Sequence, residues 1–249
     1  MYRKGYLLVG VLLICCMGLR AQDAPTQGSS GFTATLFNFT YGFHFPGGDL
    51  SDRYGTASTV GFSPEFVYKR WIVGAEGNIL FGGDVKVDVL ANLRTPEGFI
   101  IGSDNAVTEV PLFQRGLYFG LNAGRLFPIN GSRSGFKATI GGGFLQHKIR
   151  IQDDGGTALA VAGDLKKGYD RLTNGFALKQ FVGYHFFSEN RLINFFAGFE
   201  FYQGFTQSRR AINFDTMQAD TDTRTDLMMG FKVGWTIPIF HYDPDKDFY

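Results

Sequence analysis

TLFNFTYGFHF, Thr35 to Phe45, places Thr, Phe, Phe, Tyr, Phe and Phe at the odd positions, with Leu, Asn, Thr, Gly and His between them. Successive side chains of an extended strand point to opposite faces. The stretch therefore has one wall of aromatic rings and one wall that is small or polar. The same division returns in Leu227–Phe240, where Leu227, Met229, Phe231, Val233, Trp235, Ile237 and Ile239 oppose Gly230, Lys232, Gly234, Thr236 and Pro238. Alternation of this kind is the signature of a sheet with two different surroundings on its two faces.

Between these segments the period of two predicts six more strands, at roughly 60–70, 71–82, 113–127, 136–150, 175–187 and 191–206. The connections alternate in length. Lys69-Arg70, Pro128–Gly135 and Ser188-Glu189-Asn190 are tight, whereas 46–60, 83–112, 151–174 and 207–225 are long. Tight turns at one end and long loops at the other are expected of a barrel that crosses an outer membrane. In hydrocarbon every backbone N–H and C=O must be paired, and a closed sheet pairs them all. The expectation is an eight-stranded antiparallel transmembrane β-barrel of the outer membrane over 32–240. Tyr41, Trp71, Tyr184 and Trp235 are candidates for its interfacial girdles, and both termini fall on the periplasmic side.

The remainder of the chain fits export. Arg3 and Lys4 precede an apolar core from Tyr6 to Met17, and Ala21 offers a cleavage point, so 1–21 reads as a signal peptide. Lipoprotein processing at Cys15 or Cys16 is the alternative. These are the two cysteines of the chain, so the mature protein has no thiol for a disulfide, a zinc site or a nucleophile. Residues 22–31 read as a flexible periplasmic leader and 241–249 as a polar tail. With 249 residues and a net charge of +1, no global field points to nucleic acid.

If the aromatic faces meet lipid, the opposite faces enclose the lumen. Glu65, Glu76, Lys137, Lys179, Glu200 and Lys232 all fall there, and enclosed charges must be paired. An ion-pair network is expected, with Glu200 and Lys232 on the last two strands as partners. Such a network fills a narrow barrel, which favours a plug over a conducting pore. His44, His147, His185 and His241 raise the question of a lipid-modifying enzyme, but no serine lies near His147, and a nucleophile needs its base within reach. Neither catalytic residue, metal site nor cofactor is expected. The Asp-rich loop pieces do not match an EF-hand spacing.

The long loops are the natural place for partner contacts. Asp49, Asp52, Arg53, Tyr169, Asp170, Arg171, Arg209 and Arg210 are the candidates, the first three also bracing the first loop locally. Pro46 is expected to end the pairing of the first strand, with Gly47-Gly48 allowing the exit. No Gly-Lys-Ser/Thr follows, which excludes a phosphate cradle.

PGGDLSDRYG (46–55), GFLQHKIRI (143–151), KKGYDRLTNG (166–175), INFFAGFEFYQGFTQSRR (193–210) and GWTIPIF (234–240) together resemble a family of small outer-membrane barrels from Bacteroidota. The resemblance covers most of the mature chain. It implies a scaffold or accessory subunit of a multi-protein machine for outer-membrane protein assembly or secretion, with no motif-borne catalytic residues. The partners it implies are other outer-membrane or periplasmic proteins and membrane lipids, lipopolysaccharide among them. Gly234, Trp235 and Phe240 resemble the C-terminal signal read by the barrel-insertion machinery, with Phe248-Tyr249 as the alternative end. A narrow solute channel, a lipid-modifying enzyme and a surface adhesin are the competing readings.

Overall fold

The computed structural model describes residues 32–129, 132–188 and 193–241. The expected signal peptide, the leader and residues 242–249 lie outside the described residues. In chain order the elements are β1 (Phe32–Gly48), a short helix α1 (Leu50–Arg53), β2 (Ala57–Lys69), β3 (Trp71–Gly82), β4 (Ile100–Ile101), β5 (Val107–Thr108), β6 (Leu112–Pro128), β7 (Gly135–Ile151), β8 (Thr173–Phe187), β9 (Asn194–Ser208) and β10 (Thr223–His241). Eight strands close in the order β1-β10-β9-β8-β7-β6-β3-β2, while β4 and β5 form a small hairpin inside one long loop. All neighbours are antiparallel, and β1 joins β10 over Thr33–His241 to Gly48–Asp226. Each of the eight predicted segments coincides with a barrel strand to within four residues.

The outer wall is apolar and exposed. Trp71 and Trp235 are 60% and 53% accessible, and Phe39, Phe119, Phe199 and Phe231 stand beside or near them on the same surface. A soluble protein does not present a belt of this extent to water. The barrel strands run from 12 residues in β3 to 19 in β10. A tilted strand needs about 9–11 residues to cross the hydrocarbon layer, so the longer ones continue past it at the end that carries the long loops. The chain crosses a membrane as a closed barrel.

Three details depart from the sequence reading. Pro46 does not end the pairing of β1, because Pro46, Gly47 and Gly48 still oppose Met228, Leu227 and Asp226. Pairing stops on the β2 side only, after His44–Ala57, and a proline is tolerated where one side of a strand is unpaired. The exit comes at Gly48, whose φ of 57° lies in the left-handed region that favours glycine. The strand predicted from 191 begins at Asn194, and His241 closes β10 rather than belonging to a tail. Its Nε2 lies 2.9 Å from Thr35 Oγ1.

Pro64 sits inside β2, where it removes a ladder bond. Pairing of β2 with β3 skips Ser63 and Pro64. Side chains fill in: Ser63 Oγ donates to the Ala75 carbonyl at 3.0 Å, and Asn38 Nδ2 donates to the Ser63 carbonyl at 3.0 Å. The seam is closed by polar side chains from the lumenal face.

Candidate functional site: a filled lumen under a braced loop cap

The lumen is layered. At the end with the tight turns, Ala34, Leu36, Val67, Ile72, Leu126 and Phe187 form an apolar plug. Phe32 packs edge-on against Phe187 and Phe240, with ring centres 5.5 and 5.6 Å apart. Phe240 thus turns toward the plug, whereas Trp235 faces outward and Gly234 inward. Above the plug Lys137 Nζ donates to both oxygens of Glu65, at 2.8 and 2.6 Å, and lies 4.7 Å over the Phe196 ring.

Higher in the barrel two carboxylates and two ammonium groups alternate. Glu76 on β3 receives Lys179 from β8 and Lys232 from β10. Glu200 on β9 lies 2.9 Å from Lys179 and 3.3 Å from Lys232. Glu76 stands three strands from either lysine around the closed sheet, so these contacts cross the lumen. His44 Nε2 contacts Glu200 Oε1 at 2.6 Å, and Asn78 Nδ2 donates to Glu76 at 2.8 Å and to the Tyr202 hydroxyl at 2.9 Å. Lys179 also rests 5.0 Å over the Tyr202 ring. Two charges of each sign in one water-poor layer cancel, which offsets much of the cost of desolvating them. Gly42 makes room: a Cβ there would lie 2.6 Å from His44 and from Thr59.

The six lumenal residues singled out from sequence therefore form two groups, four around Glu76 and two around Glu65. Glu200 and Lys232 do meet, but each is shared with the other carboxylate or ammonium rather than paired alone. His44, weighed from sequence only as a possible catalytic histidine, completes the central layer with Asn78, Tyr118 and Tyr202, which were not singled out. Their position on the inward parity of the strands was the available signal; their partners lie across the lumen, which local spacing does not encode.

His147 and Thr206 converge on one carboxylate. Asp226 Oδ2 lies 2.8 Å from His147 Nε2 and accepts from Thr206 Oγ1 at 2.5 Å. The hydroxyl and the imidazole thus share the acid instead of facing each other, which is not the geometry of a base beside its nucleophile. His185 Nε2 lies 3.1 Å from Thr236 Oγ1 and stacks on Phe187 at 4.1 Å.

The loops close the other end. Leu50, Tyr54, Leu90, Val110 and Val161 form an apolar layer that continues into the barrel through Ile149. Burial pushes the Tyr54 phenol upward. Ionic clamps surround this layer. Arg53 is buried, donates to Thr173 Oγ1 at 2.9 Å, and lies 3.6 Å from Asp220. Arg224 holds Asp220 with two bonds of 2.8 and 2.7 Å. Arg210 holds Asp170 the same way, at 2.7 and 2.6 Å, and Arg171 pairs with Asp215. Partial burial opposes ionisation of Asp220, but the Arg224 hydrogen bond and the Arg224 and Arg53 charges outweigh it and hold the carboxyl below its ordinary range.

These contacts show where the loop residues singled out as partner-contact candidates stand within the chain itself. Arg53 and Asp170 are buried, and Arg53 braces two other loops rather than bonding to Asp49 or Asp52. Asp49 accepts from the Thr225 N–H at 2.7 Å, Tyr169 packs edge-on against Phe214 at 5.5 Å, and Arg209 donates to Asn174 at 2.6 Å. Arg171 and Arg210 are engaged as described. Asp52 is exposed and lines an open cleft of about 470 Å³ with Asp222 and Arg224. Opposite charges on different loops give each other partners, so the polar loop residues tie the cap together.

No family model and no curated protein matches this chain. Among solved structures, Neisserial surface protein A is similar at a TM-score of 0.43 and 8% identity, over 82% of this chain and 96% of that one. The outer membrane protein OprG from Pseudomonas aeruginosa is similar at 0.40 and 11% identity, over 84% and 99%. The outer membrane protein AlkL, solved in lipid bilayers, is similar at 0.34 and 12%, over 90% and 98%.

Proposed function

We propose that this chain is a non-catalytic barrel of the outer membrane, a scaffold or accessory subunit of a multi-protein envelope complex for outer-membrane protein assembly or secretion. Its termini face the periplasm and its long loops face outward. The carrying observation is the surface of the cap. Its arginines Arg53, Arg171, Arg210 and Arg224 are committed to its own aspartates, yet apolar side chains of the same loops stand exposed: Met217 is 76% accessible, Val107 68%, and Ile101 and Leu159 are also exposed. Apolar groups held in water on a braced support favour association with another protein. The filled lumen weighs against a channel, and the shared Asp226 weighs against a hydroxyl–histidine catalyst.

The test is purification of the intact protein from native membranes in mild detergent, with identification of what co-elutes. A stoichiometric partner is expected, and it should be lost when Ile101, Val107 and Met217 are together replaced by serine. Recovery of the barrel alone at full yield would sink the proposal. In planar bilayers the pure protein should pass no large, steady current; such currents would restore the channel reading.

A further inference from the structure

One cluster of charge is used neither in the lumen nor in the cap. On the outer wall Arg115 of β6 stands directly opposite Lys148 of β7, and Arg150 follows two residues further along β7. With Lys166 from the next loop they line an open cleft of about 320 Å³. Like charges directly opposed across a sheet are destabilising. The carboxylate on the cleft is Asp170, and Arg210 already holds both its oxygens. Among the described residues no ion pair engages Arg115, Lys148, Arg150 or Lys166; the neighbouring Asp164 pairs with Lys167 instead. Four cations thus converge without an anion of their own.

Depth says what kind of anion would meet them. Below Arg115 on the same face of β6 come Leu117, Phe119 and Leu121, all exposed. Leu117 lies two positions along the strand from Arg115, about 7 Å. The headgroup layer is about 5–7 Å thick on each side of the hydrocarbon. The cluster therefore stands one headgroup above the apolar belt. The Arg115 guanidinium is also preset: it donates to the Gln114 carbonyl at 2.7 Å and lies 5.3 Å over the Phe113 ring. Guanidinium groups bind phosphate oxygens in this way, with two parallel donors and a fixed plane.

We infer that the Arg115–Lys148–Arg150–Lys166 cleft binds the phosphate of a lipid headgroup in the loop-side leaflet. The inference rests on the barrel spanning a membrane and is independent of the scaffold reading. A lipid phosphate is favoured over free phosphate because a lipid's acyl chains can lie on Leu117 and Phe119 while its headgroup occupies the cleft.

The experiment uses the full mature chain in phosphatidylcholine nanodiscs with and without phosphatidic acid, with retained lipid counted by native mass spectrometry. Phosphatidic acid should be enriched on the protein over phosphatidylcholine. The triple variant Arg115→Gln, Lys148→Gln, Arg150→Gln should lose that enrichment by about tenfold or more, because several charge-assisted bonds go at once. A turn-end control, Arg125→Gln, which removes a cation over Trp71, should retain it. Barrel integrity of each variant is read by its heat-modifiable mobility on gels. Equal enrichment in the folded triple variant would overturn the inference. So would displacement of phosphatidic acid by inorganic phosphate at equal concentration, which would make the cleft a site for soluble anions.

Discussion

The charges of the lumen and the charges of the cap solve different problems. In the barrel, Glu76, Glu200, Lys179 and Lys232 are enclosed by the sheet, with side chains no more than 6% accessible. Each depends on both opposite charges, since water is scarce. In the cap, Arg53, Arg224 and Asp220 keep 9–15% of their side chains in contact with solvent. There a lost partner can be partly replaced by water. One set keeps a closed wall from collapsing or flooding, and the other ties together loops that have no common sheet. The difference teaches that similar ion-pair distances carry unequal weight, according to what replaces them when they break.

The largest expected effect follows from removing one lumenal carboxylate. Glu76→Gln leaves Lys179 and Lys232 facing Glu200 alone, and breaking a buried pair from one side costs about 3–5 kcal/mol. Urea unfolding in detergent, followed by the fluorescence of Trp71 and Trp235, should show that loss. The double change Glu76→Met with Lys232→Met removes one charge of each sign and keeps Lys179 with Glu200. It should be more stable than the single variant. If Glu76→Gln unfolds like the parent, the lumen is wet and the contrast with the cap fails.

Removing the cap's central acid should cost less and act locally. Asp220→Asn takes the bidentate partner from Arg224 and the distant partner from Arg53. About 1 kcal/mol is expected, because solvent takes part of the load. The signature is faster proteolysis within the 209–222 loop with an unchanged urea midpoint for the barrel. A drop in that midpoint equal to that of Glu76→Gln would show cap and barrel to be one cooperative unit.

Acid should separate the two regions in the same direction. The Asp220 carboxyl is held below its ordinary range, so the folded cap keeps it ionised at a pH where an unfolded loop would protonate it. The stability it contributes is present above the ordinary carboxylate value, about 3.9, and is lost as pH falls through the lower folded value. Protection of the 209–222 loop against hydrogen exchange, taken relative to unfolded amides at the same pH, should therefore fall below about pH 4. Asp220→Asn should flatten that part of the profile, while barrel amides stay protected.

How much of this was legible in the sequence follows from what each feature depends on. The strands were legible because Phe37, Phe39, Tyr41 and Phe43 alternate with small or polar residues, and lipid on one side enforces that period everywhere. The inward positions of Glu76 and Lys232 followed from the same parity. Their sharing of one carboxylate did not, because Glu76 meets lysines three strands away in either direction and no local spacing encodes that distance. Arg53 and Asp170 looked like open loop charge because loop composition is polar whether a side chain faces water or another loop. Pro46 read as a stop because a missing N–H matters in a paired strand; only the topology reveals that one side of it is already free.

The smallest effect is the most discriminating about solvent. At about 1 M salt the screening length falls to about 3 Å, short enough to weaken pairs that water can reach. Arg94 and Asp88 at the cap's edge are bonded at 2.7 Å, but the Asp88 side chain is 43% accessible, so salt ions compete directly for it. Exchange of the 88–98 segment should rise slightly with salt, by an amount that Asp88→Asn abolishes. The lumenal tetrad should not respond, because ions cannot enter between the apolar plug and the cap, and the urea midpoint of Glu76→Gln relative to the parent should stay constant. If salt instead narrows that gap, ions reach Glu200 and the two lysines, and the lumen is continuous with solvent.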